Sequence, residues 1–293
     1  MAVGQVLPMK VLVSIITPYC DSRRFLPGLV ETLKNQTYQY WECLLVDHAS
    51  SDDGGMLAAA LTAGDRRFRH LKLVAGGGMR SPAIPRNAAL EQVLGAFICF
   101  IDVDDLWHPE KLERQLAFHQ QHHLDISVTA YARTREHFSS WLIWRCPPST
   151  LNLRRLQRSN AVPMLTVMVS SMLFQSQQWA DSPVRFLSVR HEDYALWLQL
   201  WLNYPTLRYG CLPELLALHQ RHSGNVTSQR NIMIFWLFRV YSLQASVPIA
   251  MWRTLVAGFD KIFLIFKESL GVNNLLCDPN ILMRMKPFLI HKL

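Results

Sequence analysis

The sequence of 293 residues lacks the features of several common protein classes. Its six cysteines include no CxxC pair, which argues against a zinc site and favours reduced thiols in a reducing cytoplasm. No stretch offers the roughly 20 mostly apolar residues of a transmembrane helix, so we expect none. Residues 1–8 lack the charged and then apolar segments of a signal peptide. We therefore expect a cytoplasmic protein.

Motifs for binding nucleic acids and for two kinds of phosphate loop are also missing. The chain has no zinc finger, no RNA-recognition signature and no regular alternation of basic and aromatic residues, so nucleic acid is not an expected partner. The glycine triplet at 76–78 lacks the spacing of a P-loop or of a GxGxxG motif. We expect a flexible loop there.

The positive charge of the chain is concentrated in one region. The net charge is +8, and six arginines between residues 133 and 158 are opposed mainly by Glu136. They are Arg133, Arg135, Arg145, Arg154, Arg155 and Arg158. Such a cluster favours an anionic partner, which could be a phosphorylated substrate, a lipid-diphosphate acceptor or an anionic membrane surface. A solvated structural face and an acceptor-side loop are the alternatives.

The first 125 residues alternate short apolar runs with helical patterns, which predicts a largely parallel sheet covered by helices. The expected strands are 10–17, 41–46, 70–74 and 97–101, and the expected helices are 25–35, 56–63 and 87–94. Further along, 126–131 and 165–174 are predicted to extend the sheet, and an apolar helix is expected to follow 191–194. From residue 231 a helical pattern mixes aromatic and basic residues, as in a helix that lies on a membrane or packs on the domain.

The most informative segment is 96–105, where a buried-strand pattern ends in Asp102, Asp104 and Asp105. Open α/β sheets bind ligands at the carboxyl ends of their strands. Hard cations such as Mg²⁺ and Mn²⁺ prefer carboxylate oxygens together with a substrate's phosphates. The pattern therefore indicates a metal bound with a nucleotide-diphosphate substrate. The alternative is that the acids only end the strand and cap the next helix, near Trp107.

Six short motifs follow one another in the order typical of one enzyme family. They are 13–19, 33–38 with Trp41-Glu42, 46–52, 85–89, 102–105 and 192–197. Over residues 10–230 the chain resembles the family 2 glycosyltransferases, especially bacterial enzymes of surface-polysaccharide assembly. The resemblance implies the α/β, Rossmann-like GT-A fold of nucleotide-diphospho-sugar transferases, with a mixed, mostly parallel central sheet and flanking helices. It divides the chain into a GT-A domain at 1–230, with a nucleotide-binding half to about 125 and an acceptor half at about 126–230, and a helical extension at 231–293.

The resemblance also implies an activity and assigns roles to residues. An inverting enzyme would move a sugar from a nucleotide-diphosphate donor, by default UDP, to a glycan or lipid-diphosphate-linked acceptor. Such an enzyme could contact the inner face of the plasma membrane. Asp105 and Asp104 would bind Mn²⁺ or Mg²⁺, Asp193 would be the general base, and Glu192 would lie on the acceptor side. The expected donor-binding residues are Thr17, Tyr19, Asp47, Arg86, Asp104, Arg221 and His222.

Several of these positions have ordinary structural interpretations as well. Glu192 and Asp193 would favour the positive end of a helix dipole, and Arg86 could form a surface salt bridge. His48 stands where the family commonly has a second acid, so the nucleotide stays open. A nucleotidyltransferase is a weaker alternative because a phosphate loop rich in Gly and Lys is missing. A silent binding protein of the same fold would have no chemical need for the retained acids.

Overall fold

The computed structural model describes residues 10–74, 81–135, 138–175, 183–189 and 191–220. The glycine triplet, Arg221, His222 and the predicted C-terminal extension lie outside the described residues. Within the described part of the chain, no helix has both the length and the apolar character needed to cross a membrane.

The first half of the chain forms the predicted alternation of strands and helices. Its elements are β1 (Val13–Tyr19), α1 (Leu26–Lys34), β2 (Trp41–His48), α2 (Gly54–Leu61), β3 (Phe68–Leu73), α3 (Ala83–Leu90) and β4 (Phe97–Phe100). The four strands are parallel in the order β3-β2-β1-β4. Every residue of β2 is buried, as expected for a parallel strand covered on both faces.

The observed boundaries differ from the predicted ones by up to four residues, and two of the differences involve prolines. β1 continues through Pro18 to Tyr19, because β4 pairs with β1 only as far as Ile16, so the missing N–H of Pro18 costs no ladder bond on that side. α3 begins at Ala83 rather than at Asn87, which places Pro85 in the first helical turn. Proline is tolerated there because the amides of the first turn have no partner within the helix.

The second half extends the same sheet with mostly antiparallel pairings. It comprises β5 (Leu106–Trp107), α4 (Lys111–Gln121), β6 (Ile126–Arg135), β7 (Phe138–Arg145), α5 (Leu153–Leu156), β8 (Met168–Ser170), α6 (Met172–Gln175), α7 (Glu192–Asn203) and β9 (Tyr209–His219). The sheet order is β3-β2-β1-β4-β8-β6-β9-β5, with β7 beside β6. The strand predicted at 165–174 is shorter, because a 3₁₀ turn (Met164–Thr166) precedes β8 and α6 follows it.

The two faces of the sheet carry separate apolar cores. Val13 and Ile15 of β1 belong to the core that includes residues of α1 and α4, while Ile16 belongs to the core that includes α3 and α7. α7 is buried along most of its length, as its apolar sequence predicts. The Trp197 indole donates to the carbonyl of Val162 at 2.9 Å. This packing fixes where the acidic first turn of α7 lies.

Candidate active site

The loops that follow β1, β2 and β4 leave the sheet at one edge. Tyr19 and Asp47, the predicted residues at the ends of β1 and β2, are direct neighbours in the strand register. Ile16 pairs with Phe100, so the acidic segment that follows β4 begins beside the last residues of β1. Parallel strands thus bring three of the predicted motifs to one crevice.

Tyr19 and Asp47 form a compact buried pair against the start of α2. Asp47 Oδ1 accepts a hydrogen bond from the Ser50 amide at 2.9 Å. A Cβ atom on Gly55 would lie 2.9 Å from Asp47 Oδ2, so glycine is what lets the helix approach this closely. Burial, and then the charge of Asp47, raise the pKa of Tyr19 well above its usual range. The phenol therefore stays protonated and can donate.

Thr17 lies deeper than this pair. Its side chain is fully buried, and its hydroxyl accepts a weak hydrogen bond from the Cys43 thiol at 3.9 Å. The structure therefore places the Thr17 side chain beneath the crevice, where β1 contacts β2.

Two further acids, Asp21 and Asp52, hold the loops after β1 and β2 together. Asp21 Oδ1 accepts from the amide of Ser51 at 2.6 Å and from its hydroxyl at 2.9 Å. Asp52 Oδ2 accepts from the amide of Arg23 at 2.7 Å. Neither acid was assigned a role from the sequence, although Asp52 stands in the motif at 46–52. Their contacts give the crevice a fixed wall.

The acidic turn after β4 is attached to the end of β9. The Asp105 amide donates to the carbonyl of Asp102 at 3.0 Å. The Asp105 carboxylate is buried, and its Oδ1 lies 3.0 Å from His219 Nδ1 and 3.3 Å from the Gln220 amide. Gln220 also donates through Nε2 to the carbonyl of Asp104 at 2.8 Å. His219 is thus a member of the site. It was not among the residues predicted from the sequence, where Arg221 and His222 were chosen instead.

The charge balance of this turn fits a divalent cation. Burial raises the pKa of Asp105 to about 7, with His219 opposing the shift and Asp104 and Asp102 adding to it. Burial lowers the pKa of His219, but Asp105 outweighs it and the net shift is upward. Among the described residues, no three acidic, His or Cys side chains converge as a closed metal site requires. Mg²⁺ and Mn²⁺ commonly bind through one or two carboxylates together with a substrate's phosphates, and Asp104 and Asp105 would be the carboxylates available here.

Arg86 does not lie on the surface. It is buried in α3 and bridges Asp102, at 2.6 Å, and Glu192, at 2.5 Å. Its guanidinium also lies 5.5 Å from the ring centre of Phe186. Burial disfavours the charge, but Asp102 and Glu192 outweigh burial and raise the pKa of Arg86 above its usual range. Arg86 thus ties the acidic turn to the start of α7.

Asp193, the predicted base, is held by two donors. Its Oδ2 accepts from Asn160 Nδ2 at 2.8 Å, and its Oδ1 accepts from the Tyr194 amide at 2.7 Å. Burial raises the pKa of Asp193, while Tyr194, Asn160 and Arg86 oppose the shift. Burial also raises the pKa of Glu192 against the opposing effect of Arg86. No sequence motif marks Asn160, because its contact spans 33 residues.

The crevice therefore has two chemically different sides. Tyr19 and Asp47 lie at the ends of β1 and β2, beside β4 and its acidic turn, and Asp193 lies in the first turn of α7. The bridge from Asp102 through Arg86 to Glu192 connects them. A carboxylate with a raised pKa is suited to accept a proton, and the acidic turn is suited to bind a cation with its phosphates.

Comparisons with known proteins identify the family of the chain. The sequence profile described as "Glycosyl transferase family 2" matches residues 14–172. TuaG of Bacillus subtilis, named as a candidate teichuronic acid biosynthesis glycosyltransferase, is 28% identical over 219 residues, which are 74% of this chain and 83% of TuaG. WfgD of Escherichia coli is named a UDP-Glc:α-D-GlcNAc-diphosphoundecaprenol β-1,3-glucosyltransferase. It is 29% identical over 189 residues, which are 64% of this chain and 69% of WfgD.

The fold has a solved counterpart in TarS of S. aureus, whose structure was determined in complex with UDP-GlcNAc. The two chains superpose with a TM-score of 0.63 at 19% identity, covering 85% of this chain and 72% of that one. The superposition confirms the predicted fold class.

Proposed function

Because the chain belongs to glycosyl transferase family 2 and has the GT-A fold, we propose that it transfers a sugar from a nucleotide-diphosphate donor to a lipid-diphosphate-linked glycan with inversion at the anomeric carbon. The observation that carries this proposal is the pair of carboxylates, the buried Asp105 and the partly buried Asp193, each held by its own contacts. Arg86 ties their chain neighbours Asp102 and Glu192 together. Asp105 is suited to hold the cation that stabilises the leaving diphosphate, and Asp193 is suited to accept the proton of the incoming hydroxyl.

Asp193 takes the proton from the acceptor hydroxyl as it attacks the sugar. The raised pKa of its carboxyl group makes the carboxylate a stronger base, and Asn160 fixes its direction. Asp105 and Asp104 would hold Mn²⁺ or Mg²⁺, which supplies charge stabilisation for the diphosphate that leaves. A base on the side opposite the leaving group gives a single displacement, and therefore inversion.

Tyr19 and Asp47 are assigned to the nucleoside. The protonated phenol can donate to a base or ribose oxygen, and the Asp47 carboxylate can accept from a base N–H or a ribose hydroxyl. UDP is favoured because the name of WfgD specifies UDP-Glc and TarS binds UDP-GlcNAc. The buried His48 next to Asp47 makes GDP the comparison to test.

The names of the relatives support a role in surface polysaccharide assembly. WfgD is named for an acceptor joined to undecaprenol through a diphosphate, and TuaG for teichuronic acid synthesis. We assign this chain an acceptor of the same chemical class. Such an acceptor would bring the enzyme to the inner face of the plasma membrane.

A transfer assay tests the proposal. The full chain is incubated with a panel of UDP- and GDP-sugars, Mn²⁺ and a GlcNAc-diphosphate that carries an alkyl chain, and NMR establishes the anomeric configuration of the product. We expect inversion, and a loss of turnover of about 10²–10⁴-fold in Asp193→Asn. Asp65→Asn is the matched control, because Asp65 pairs with Arg67 at the start of β3.

Three outcomes would contradict the proposal. Retention of configuration would exclude the single displacement, and full activity of Asp193→Asn would exclude the assigned base. Binding of UDP without turnover on any acceptor would favour the silent binding protein.

A further inference from the structure

An uncompensated basic surface lies beside the predicted base. The three arginines Arg154, Arg155 and Arg158 are exposed, and none of them pairs with a carboxylate among the described residues. The sequence explains this, since no Asp or Glu occurs between Glu136 and Asp181. Other surface arginines differ. Arg114, Arg185 and Arg208 each form an ion pair with a carboxylate. We call the three unpaired residues the arginine cluster.

The segment that carries the cluster is attached to the start of α7. The Tyr194 hydroxyl donates to the carbonyl of Leu156 at 2.7 Å, and Asn160 donates to Asp193 at 2.8 Å. Only one residue, Ser159, lies between Arg158 and Asn160, so their Cα atoms lie within about 7 Å. The cluster therefore flanks the carboxylate that would receive the acceptor hydroxyl.

The local backbone is fixed as well. Asn152 caps α5 by accepting from the Arg155 amide at 2.9 Å, and Leu156 is fully buried. The arginines are thus presented on an anchored turn. A guanidinium binds phosphate oxygens through two parallel hydrogen bonds, which favours it as a phosphate contact.

We propose that Arg154, Arg155 and Arg158 bind the diphosphate of the acceptor while Asp193 receives its hydroxyl. This inference rests on the proposed function and adds the acceptor's charge to it. An acceptor with a diphosphate near the reacting sugar satisfies both the base and the unpaired arginines. A neutral glycan end would offer the three positive charges no anionic partner.

Direct binding tests the site independently of turnover. The dissociation constant of an alkyl GlcNAc-diphosphate is measured by calorimetry for the wild type, Arg158→Ala and the triple alanine variant. We expect a loss of about tenfold for Arg158→Ala, which corresponds to one charge-assisted hydrogen bond, and a larger loss for the triple variant. Arg158→Lys should recover part of the affinity because the charge is retained. Arg66→Ala, an exposed arginine before β3, is the matched control and should bind as the wild type does.

A neutral probe and a membrane probe separate the sources of affinity. An alkyl GlcNAc glycoside without phosphate should bind the wild type and Arg158→Ala equally. Vesicles of phosphatidylglycerol are sedimented with the same variants. The proposal is overturned if Arg158→Ala and the triple variant bind the diphosphate probe as the wild type does, or if they lose only vesicle binding.

Transfer assays with the same acceptors distinguish this inference from the proposed function. If the diphosphate probe binds through the cluster but no sugar is transferred, the proposed reaction fails and the anion site stands. If transfer proceeds with an unchanged KM for the diphosphate acceptor in the triple variant, the reaction stands and the anion site fails. Equal unfolding midpoints of the variants exclude misfolding as the cause.

Discussion

Asn160 sets the strength of the predicted base through one hydrogen bond. Its amide stabilises the Asp193 carboxylate and so opposes the upward pKa shift that burial causes. Asn160→Ala removes this donor, and the pKa of Asp193 should rise further. A base is active when deprotonated, so the acidic limb of the kcat/KM profile should move to higher pH. The measurement is kcat/KM against pH for the wild type and the variant.

A matched variant separates this effect from loosening of the segment. Asn152→Ala removes the cap of α5 and should cost about 1 kcal/mol of stability, but Asn152 has no contact with Asp193 among the described hydrogen bonds. Its pH profile should overlay that of the wild type. An acidic limb that stays in place in Asn160→Ala would show that Asn160 only holds the loop.

Which site residues the sequence could identify depends on how local their signals are. Asp104, Asp105 and Asp193 stand in short motifs with a chemical meaning, so they could be selected. Asn160 and His219 could not, because their roles arise from contacts across 33 and 114 residues. Arg86 was selected, but its burial between two carboxylates was not foreseen.

At the scale of elements, Arg86 joins α3, the turn after β4 and the start of α7. Arg86→Met would leave Asp102 and Glu192 without their partner, and Glu192 is largely buried. Breaking a buried pair in this way should cost about 3–5 kcal/mol in the free energy of unfolding. Urea unfolding measures the loss.

Arg114→Met is the control for this variant, because Arg114 forms exposed ion pairs with Glu110 and Glu214, which should contribute only about 0–1 kcal/mol. The affinity for UDP separates the two interpretations of Arg86. A stable Arg86→Met protein that binds UDP weakly would favour the predicted donor contact over the bridging role.

α4 contains a buried lysine amine whose contribution to the free energy of unfolding depends on pH. Lys111 is fully buried, donates to Gln115 Oε1 at 2.7 Å, and lies 4.1 Å from the ring centre of Trp107. Burial lowers the pKa of its amine from 10.5 to about 8, with Cys99 opposing the shift. At a pH between these two pKa values, the amine is protonated in the unfolded chain and neutral in the folded chain. The contribution of Lys111 to stability therefore rises with pH over that range and is constant below it.

Lys111→Met isolates this contribution. The difference in unfolding free energy between wild type and variant should shift in favour of the wild type by roughly 3 kcal/mol from pH about 7 to pH about 10.5. Urea unfolding of both proteins at several pH values gives this difference. The titration of all other groups is common to the two proteins and cancels in the difference. A difference independent of pH would mean that the amine is charged throughout or reaches water.

For the whole molecule, the predictability of the fold differs between its two halves. The parallel half follows from local periodicity, because its strands alternate regularly with helices; β1, β2 and β3 pair in chain order, and β4 pairs on the other side of β1. The second half depends on long-range pairing: β9 lies beside β6 and returns to β5, so that His219 meets Asp105. The hydrophobic periodicity of the sequence gives no information about such pairings. The site edge was predictable because the motifs after β1, β2 and β4 belong to the parallel half. The contacts of Asp105 with His219 and of Asp193 with Asn160 involve the other half.

Binding of the donor should stabilise the whole molecule. A ligand at 100 times its dissociation constant adds about 2.7 kcal/mol to the free energy of unfolding if it binds only the folded chain. We expect UDP with Mn²⁺ to do so, UDP alone to do less, and Asp105→Asn to lose the dependence on metal, because its carboxylate belongs to the turn that would hold the cation. Asp65→Asn should respond as the wild type does. Stabilisation by GDP in place of UDP would contradict the UDP preference and direct attention to His48 at the end of β2. If Asp105→Asn responds to UDP and Mn²⁺ as the wild type does, the cation does not bind at this turn.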